Sequence, residues 1–246
     1  MGFTDRIIVT LVVLRLQPPH SALAVLYGVD RSTITRAVHE IRPLLAARGF
    51  AVPGRLDLRL RTLEDVFAYA AAEGVELRLD GTEVRVRRPG ANRPGRRAFV
   101  SGKMRQNTKK ATVVTDEQSR TLWAGAFRPG RVHDQTAVKT VGICDLFERH
   151  PSVRAKVDAG HQGLAKAVPQ PGQGPAPEAE EARPAGALAA WDADRRQQSS
   201  ERIRVEHANA EHKQWRTLQR YLGRREYFDE SYLAVAGLVS DRTAKR

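Results

Sequence analysis

The sequence predicts an α/β domain, a mixed sheet with flanking helices, preceded by a small all-α module. Three observations carry that prediction. Through the first fifty residues the apolar positions recur at helical spacing. From Val75 they alternate in twos, the period of a half-buried strand. Residues 169–186 then collapse into Pro, Gly, Gln, Ala and Glu, which makes that segment a loop or disordered insert inside the α/β part. The length of 246 residues suits one compact domain with a small accessory one, and 41% hydrophobic against 28% charged residues suffices for a buried core. The single cysteine, Cys144, excludes an internal disulfide and a cysteine-based zinc site. No apolar run approaches the ~20 residues of a membrane span. The run from Ile7 to Leu14 is cut by Arg15 with no clear cleavage pattern after it, so a soluble protein is expected.

Taken in order, Ala22 to Tyr27 reads as a short apolar helix stopped at Gly28, whose missing Cβ permits a left-handed turn. Asp30 is placed to cap a second helix that carries Ile34, Val38 and Ile41 on one face. Pro43 lacks an N–H and is expected to end that helix and open another running to Gly49. Thr62 with Asp65 resembles a capping box, and Leu63, Val66, Phe67 and Ala70 form the buried stripe before Gly74. The organisation expected is therefore a helical module over 1–52, a linker helix over 53–74 and the α/β domain over 75–246. In that domain Val75, Leu77 and Leu79 form a strand closed by an Asp80-Gly81 turn, and Val84 and Val86 a second strand. Strands are also expected over 98–100, 111–115, 121–127 and 153–157, the last ending at Asp158-Ala-Gly. A helix follows His133-Asp134 to about His150, and Cys144 on it reads as a core residue. Ser199 to about Leu222 reads as one long helix and Glu230 to Val239 as another.

The chain is strongly basic, with a net charge of +13 and a pI near 10.5, which points to a polyanionic partner. Of its 41 basic residues 33 are Arg, a skew that a GC-rich genome produces as readily as phosphate binding, so placement decides. The helices around Gly28 have helix–turn–helix spacing, which projects Arg31, Ser32, Thr33, Thr35, Arg36 and His39 toward a DNA major groove. A helical hairpin with a polar outer face is the plainer alternative. Between Val84 and Lys110 ten basic residues and no acidic ones occur, among them Arg85, Arg87, Arg88, Lys103 and Lys109; this is either a cationic groove or a solvated surface. Asp80 and Asp158 each close an expected strand, and Glu206 lies on the long helix with Arg202 and Lys213 on the same face. Carboxylates converging at strand ends hold Mg²⁺ or Mn²⁺, and two such ions promote phosphodiester cleavage; singly, each Asp is more often a turn residue.

Together these motifs resemble bacterial insertion-sequence transposases of the DDE superfamily, with an RNase H-like catalytic domain behind an N-terminal helix–turn–helix. The resemblance rests on Gly28 to Arg36, Asp80-Gly-Thr-Glu-Val-Arg-Val-Arg-Arg-Pro89, Ser101-Gly-Lys103 with Gln106-Asn-Thr-Lys109, Asp158-Ala-Gly160, and Arg202-x3-Glu206-x6-Lys213. It implies that Asp80, Asp158 and Glu206 are catalytic and bind the metal, two Mg²⁺ or Mn²⁺ ions, with Arg202 and Lys213 assisting. It also implies a cytoplasmic, nucleoid-associated protein that hydrolyses DNA at transposon ends and transfers the strand to target DNA, as a homo-oligomer on DNA. The chain departs from the family pattern at His161, where Tyr is usual, and over 171–181, where a basic stretch is usual. A non-catalytic DNA-binding remnant or repressor, and a metal-dependent nuclease without strand transfer, stand as alternatives.

Overall fold

The computed structural model describes residues 1–90, 95–132, 142–157 and 208–245. Three helices come first: α1 (Phe3–Leu16), α2 (His20–Tyr27) and α3 (Arg31–Ala47). Val9, Leu23, Ala24, Ile34 and Val38 close a small core among them. Gly28 ends α2 at φ +59°, as its position after the apolar run requires. Asp30 occupies the N-cap of α3, yet its side chain makes no capping hydrogen bond; its carbonyl accepts from Thr33 N at 2.9 Å instead.

Pro43 does not end α3. The proline removes the bond to the carbonyl of His39 and costs roughly 3 kcal/mol in a helix interior. Packing offsets that cost. Ile41 and Arg42 are buried against α8 (Phe228–Thr243). Arg42 Nε donates to Glu230 Oε2 at 2.7 Å while its guanidinium lies 4.4 Å from the Tyr227 ring centroid.

A hairpin follows that the sequence reading does not contain, β1 (Phe50–Val52) with β2 (Arg55–Leu60). Its signal was present, since Arg55-Leu-Asp-Leu-Arg-Leu60 alternates with period two after Pro53-Gly54. The hairpin docks on α8, where Ala51 N donates to Ser240 Oγ at 3.0 Å and Arg59 pairs with Asp241. The expected linker helix occupies only α4 (Leu63–Glu73). Thr62 Oγ1 accepts from Asp65 N at 3.1 Å, and Asp65 Oδ2 accepts from Thr62 N at 2.8 Å, the reciprocal capping box.

The main sheet runs β5-β4-β3-β6, with β7 also on β3. Its strands are β3 (Leu77–Val86), β4 (Thr108–Thr115), β5 (Thr121–Pro129), β6 (Ala155–Val157) and β7 (Arg220–Tyr221). Asp80-Gly81 is not a turn. β3 passes straight through it, because β4 pairs in unbroken antiparallel register from Arg78↔Thr115 to Arg85↔Thr108 and a turn would forfeit that ladder. Residues 98–100 are not a strand either: Arg96–Phe99 is a 3₁₀ turn, and only Val100 bridges, to Asn107. From β5 the chain crosses to the other side of β3 by way of α5 (Ile143–Arg149), on which Cys144 is half-buried against the core. The expected helix start at His133-Asp134, the Asp158-Ala-Gly turn and the insert 169–186 lie outside the described residues.

The long helix expected to run to Leu222 stops early. Residues 208–213 are helical (α6), Trp215 is extended, and α7 (Arg216–Gln219) is a single turn leading into β7. Burial explains the break, since Leu218 and Tyr221 both enter the main core, and Tyr221 pairs with Val86. α8 lies across this core with Phe228, Tyr232, Val235 and Val239 buried, and runs beyond the expected Glu230 to Val239 at both ends. No described helix is long and apolar enough to cross a membrane.

Two glycines separate backbone strain from collision. Gly28 and Gly49 both have positive φ, but a Cβ at Gly28 meets nothing within 4 Å, whereas at Gly49 it would lie 2.5 Å from the Leu60 carbonyl oxygen. Gly28→Ala should therefore cost about 1 kcal/mol for the left-handed conformation alone. Gly49→Ala should cost a further 1–3 kcal/mol by urea denaturation, the range of overpacking. Equal losses would contradict this account.

Candidate active site

The strand carrying Asp80 is bonded along one edge by β4 from Arg78 to Arg85. Its other edge is bonded only at the ends, by β6 over Leu77 to Leu79 and by β7 at Arg85 and Val86. Among the described residues no strand covers that edge between Asp80 and Val84. β6 is parallel to β3, with Val157 opposite Leu79.

Asp80 thus stands in mid-strand, not at a strand end as expected. Its Oδ1 accepts from Gly81 N at 2.8 Å, and its Oδ2 accepts from Asn209 Nδ2 on α6. The Oδ1 of Asn209 is buried without a hydrogen-bond partner. An unmet buried acceptor costs about 1–3 kcal/mol, so this atom needs a reason.

α6 is anchored one turn further on. His212 is fully buried, with Nε2 3.1 Å from Thr121 Oγ1 and Nδ1 3.2 Å from Tyr232 Oη. Burial holds its imidazole down to about 4, so it is neutral at physiological pH. Burial likewise raises the Tyr232 phenol far above its ordinary value, and the nearby charge of Asp80 adds to this. A neutral, hydrogen-bonded pair, His212 and Tyr232, therefore lies beneath Asp80.

Asn209, His212 and Tyr232 were not among the expected site residues. Asn209 had a signal: it falls three residues after Glu206 and four before Lys213, on the stripe that those two define. His212 and Tyr232 had none, since a buried histidine pair partner is set by the crossing of α6, β5 and α8.

Of the other expected site residues, Asp158, Glu206 and Arg202 lie outside the described residues, as does His161. Lys213 is the last residue of α6 and is exposed, its carbonyl accepting from Gln219 Nε2 at 2.7 Å. Lys109 differs from the expected DNA-facing cation. It pairs with Asp229, lies 5.0 Å from the Phe228 ring centroid and has a side chain only 12% exposed, so it ties β4 to α8.

On α3, Arg31, Ser32, Arg36 and His39 are exposed, and Thr33 and Thr35 half-buried. Thr35 Oγ1 lies 2.9 Å from His20 Nδ1, and the His39 ring meets Tyr227 edge-on at 4.7 Å. Burial followed by the charge of Arg31 lowers the pKa of His20; burial followed by Arg42 lowers that of His39. Arg31, Thr35 and His39 line a cleft of about 1070 Å³ together with Arg87, Arg88, Arg224 and Arg225. A smaller cleft of about 500 Å³ adjoins it, sharing Arg87 and Arg88 and adding Arg85, Arg105 and Arg220. Lys103 is exposed on the turn before β4.

Among the described residues no group of three His, Cys, Asp or Glu side chains stands together. The oxygens that lie near one another are those of the Asp80 carboxylate and of the Asn209 amide, whose nitrogen donates to that carboxylate. Oxygen donors of this kind fit a hard divalent cation such as Mg²⁺ or Mn²⁺.

Two family models match the chain. Residues 79–239 match the DDE superfamily endonuclease model, and residues 1–51 match the helix-turn-helix of DDE superfamily endonuclease. No curated protein matches the chain, and no solved structure does.

The buried His212 makes stability depend on acid. The unfolded chain takes up a proton near 6.5 that the folded chain refuses until about 4. Its contribution is complete above 6.5 and is lost as pH falls from there toward 4, by about 3 kcal/mol in all. Urea denaturation across that window should show a shallower pH slope for His212→Gln than for the unsubstituted protein. Parallel slopes would show that His212 titrates normally.

Proposed function

The chain belongs to the DDE superfamily endonucleases, whose model covers residues 79–239 of its 246, and from that premise we propose that it is a DNA transposase with an RNase H-like catalytic domain. In this reading α3 binds the terminal inverted repeats of its element. Asp80, Asp158 and Glu206 hold two Mg²⁺ or Mn²⁺ ions, while Arg202 and Lys213 position the acid and the DNA backbone. The ions, when bound, would lower the pKa of the attacking water or 3′-hydroxyl and stabilise the leaving oxygen. The chain's own part is to hold the carboxylates, orient the scissile phosphate and keep the duplex in place.

The observation that carries the reading is the sheet register. β3 and β6 run parallel with Leu79 opposite Val157, and in the sequence each of these two residues is followed by an aspartate, Asp80 and Asp158. Parallel neighbours advance in the same direction, which is how carboxylates of distant sequence position come to share one cation. The link from Asp80 to Asn209, three residues after Glu206, supports the third acid. A mixed sheet between helices accords with the fold.

DNA binding is supported by the arginines. Arg31 of α3 and Arg87 and Arg88 beyond β3 line one cleft, so both parts of the molecule present cations to a single path. Arginine suits that role because its planar fork pairs with phosphate oxygens two at a time. Double-stranded DNA, both transposon end and target, is the partner proposed, with a homo-oligomer bringing two ends together.

Labelled DNA carrying the ends of its own element should be nicked in Mg²⁺ or Mn²⁺, and Asp158→Asn should abolish nicking without loss of binding. End-specific binding with no nicking by the unsubstituted protein would leave a DNA-binding protein in place of the enzyme. Separately, replacing Arg87 and Arg88 together by Ala should lower the slope of log binding constant against log salt by about 2, as each phosphate contact contributes about 0.9. An unchanged slope would remove those two residues from the DNA path.

A further inference from the structure

We infer that Asn209 belongs to the cation site at Asp80, supplying its side-chain oxygen as a neutral ligand while its amide nitrogen fixes the carboxylate; this rests on the proposed role of Asp80. Three observations meet here. The Nδ2 of Asn209 donates to Asp80 Oδ2, so the two side chains are in direct contact. Its Oδ1 is buried and has no hydrogen-bond partner. The short helix that carries it is held from behind by His212, between Thr121 and Tyr232, so Asn209 is presented on a braced element.

The chemistry follows from the amide. A planar carboxamide places its oxygen and nitrogen side by side. A nitrogen already spent on one carboxylate oxygen therefore leaves the amide oxygen as the group's remaining donor, close to that carboxylate. Side-chain amide oxygens are ordinary ligands for hard cations and add a donor without adding charge. A site with a neutral member has less mutual repulsion before the cation arrives than one built of carboxylates alone. Groups that orient a ligand in this way typically change metal affinity by 10–100-fold. The Gly81 N–H meets the other carboxylate oxygen of Asp80 at 2.8 Å, so both oxygens are oriented by hydrogen bonds.

The test is Mn²⁺ binding without DNA, read by electron paramagnetic resonance of the free ion, with the rise in melting temperature that Mn²⁺ produces as a second readout. Asn209→Ala should bind Mn²⁺ at least tenfold more weakly and show a smaller rise in melting temperature. Asn209→Asp keeps an oxygen in place but cannot donate to Asp80, so it should stay within about threefold of the unsubstituted protein. A residue that merely clamped Asp80 by its N–H would instead lose affinity in both variants, and that result overturns the ligand assignment. So does an Asn209→Ala protein that binds Mn²⁺ normally, in which case the role of Asp80 stands. If Asn209→Ala fails to fold, Asn209→Asp alone decides, by keeping or losing affinity. Asp80→Asn separates the two levels: Mn²⁺ binding unaffected by it overturns the Asp80 reading and this one together.

Discussion

Everything in the sheet domain depends on how the two edges of β3 are bonded. One edge is fully laddered, so the strand cannot shift in register without turning every side chain to the opposite face. The other is held only at its ends by β6 and β7, and among the described residues no strand covers the edge between them. Asp80 sits at the near limit of that gap. A carboxylate there has a backbone fixed on one side and room for other side chains on the other, the combination that a preorganised polar site needs.

The two parts of the molecule are joined by a different kind of contact. Arg42 is buried, and its charge is met by Glu230 at 2.7 Å and by the face of Tyr227. Removing one partner of such a pair strands a charge in a poorly solvated place, which is far more costly than the pair is stabilising. The same α8 that carries Glu230 also carries Tyr232, beneath Asp80, and Ser240, which bonds both to β1 and to β5. One helix therefore serves as common support for the hairpin, the α3 module and the floor of the candidate site.

What was legible in the sequence was mostly local. The capping box at Thr62, the Gly28 stop and the alternation through Leu77 and Leu79 each state their structure within a few residues, and each appears as expected. Three misreadings share one cause, tertiary pairing that outweighs a local signal. Asp80-Gly81 has turn composition, yet β4 supplies a full ladder against it. Pro43 is a helix breaker, yet α8 holds the helix on both sides of it. The helical pattern through Leu222 is interrupted because Tyr221 completes the far end of the β3 edge. At the site, Asp80 was visible because an acid in an apolar alternation is conspicuous, whereas Lys109 looked like one more basic residue in a basic run. Only the fold places Asp229 beside it.

The unbroken α3 has a geometric consequence. Its first half carries Ile34 and Val38 in the small three-helix core, and its second half carries Ile41 and Arg42 against the sheet domain. A single rod so bolted at both ends resists swivelling between the helix-turn-helix part and the part that carries Asp80. On the proposed function, one added base pair between the bound sequence and the cleaved bond would move the latter ~3.4 Å along the duplex axis and turn it by roughly 34° about it. A jointed protein absorbs such a screw displacement in its linker. In this one such a displacement between the two parts is resisted by a buried ion pair and a continuous helix.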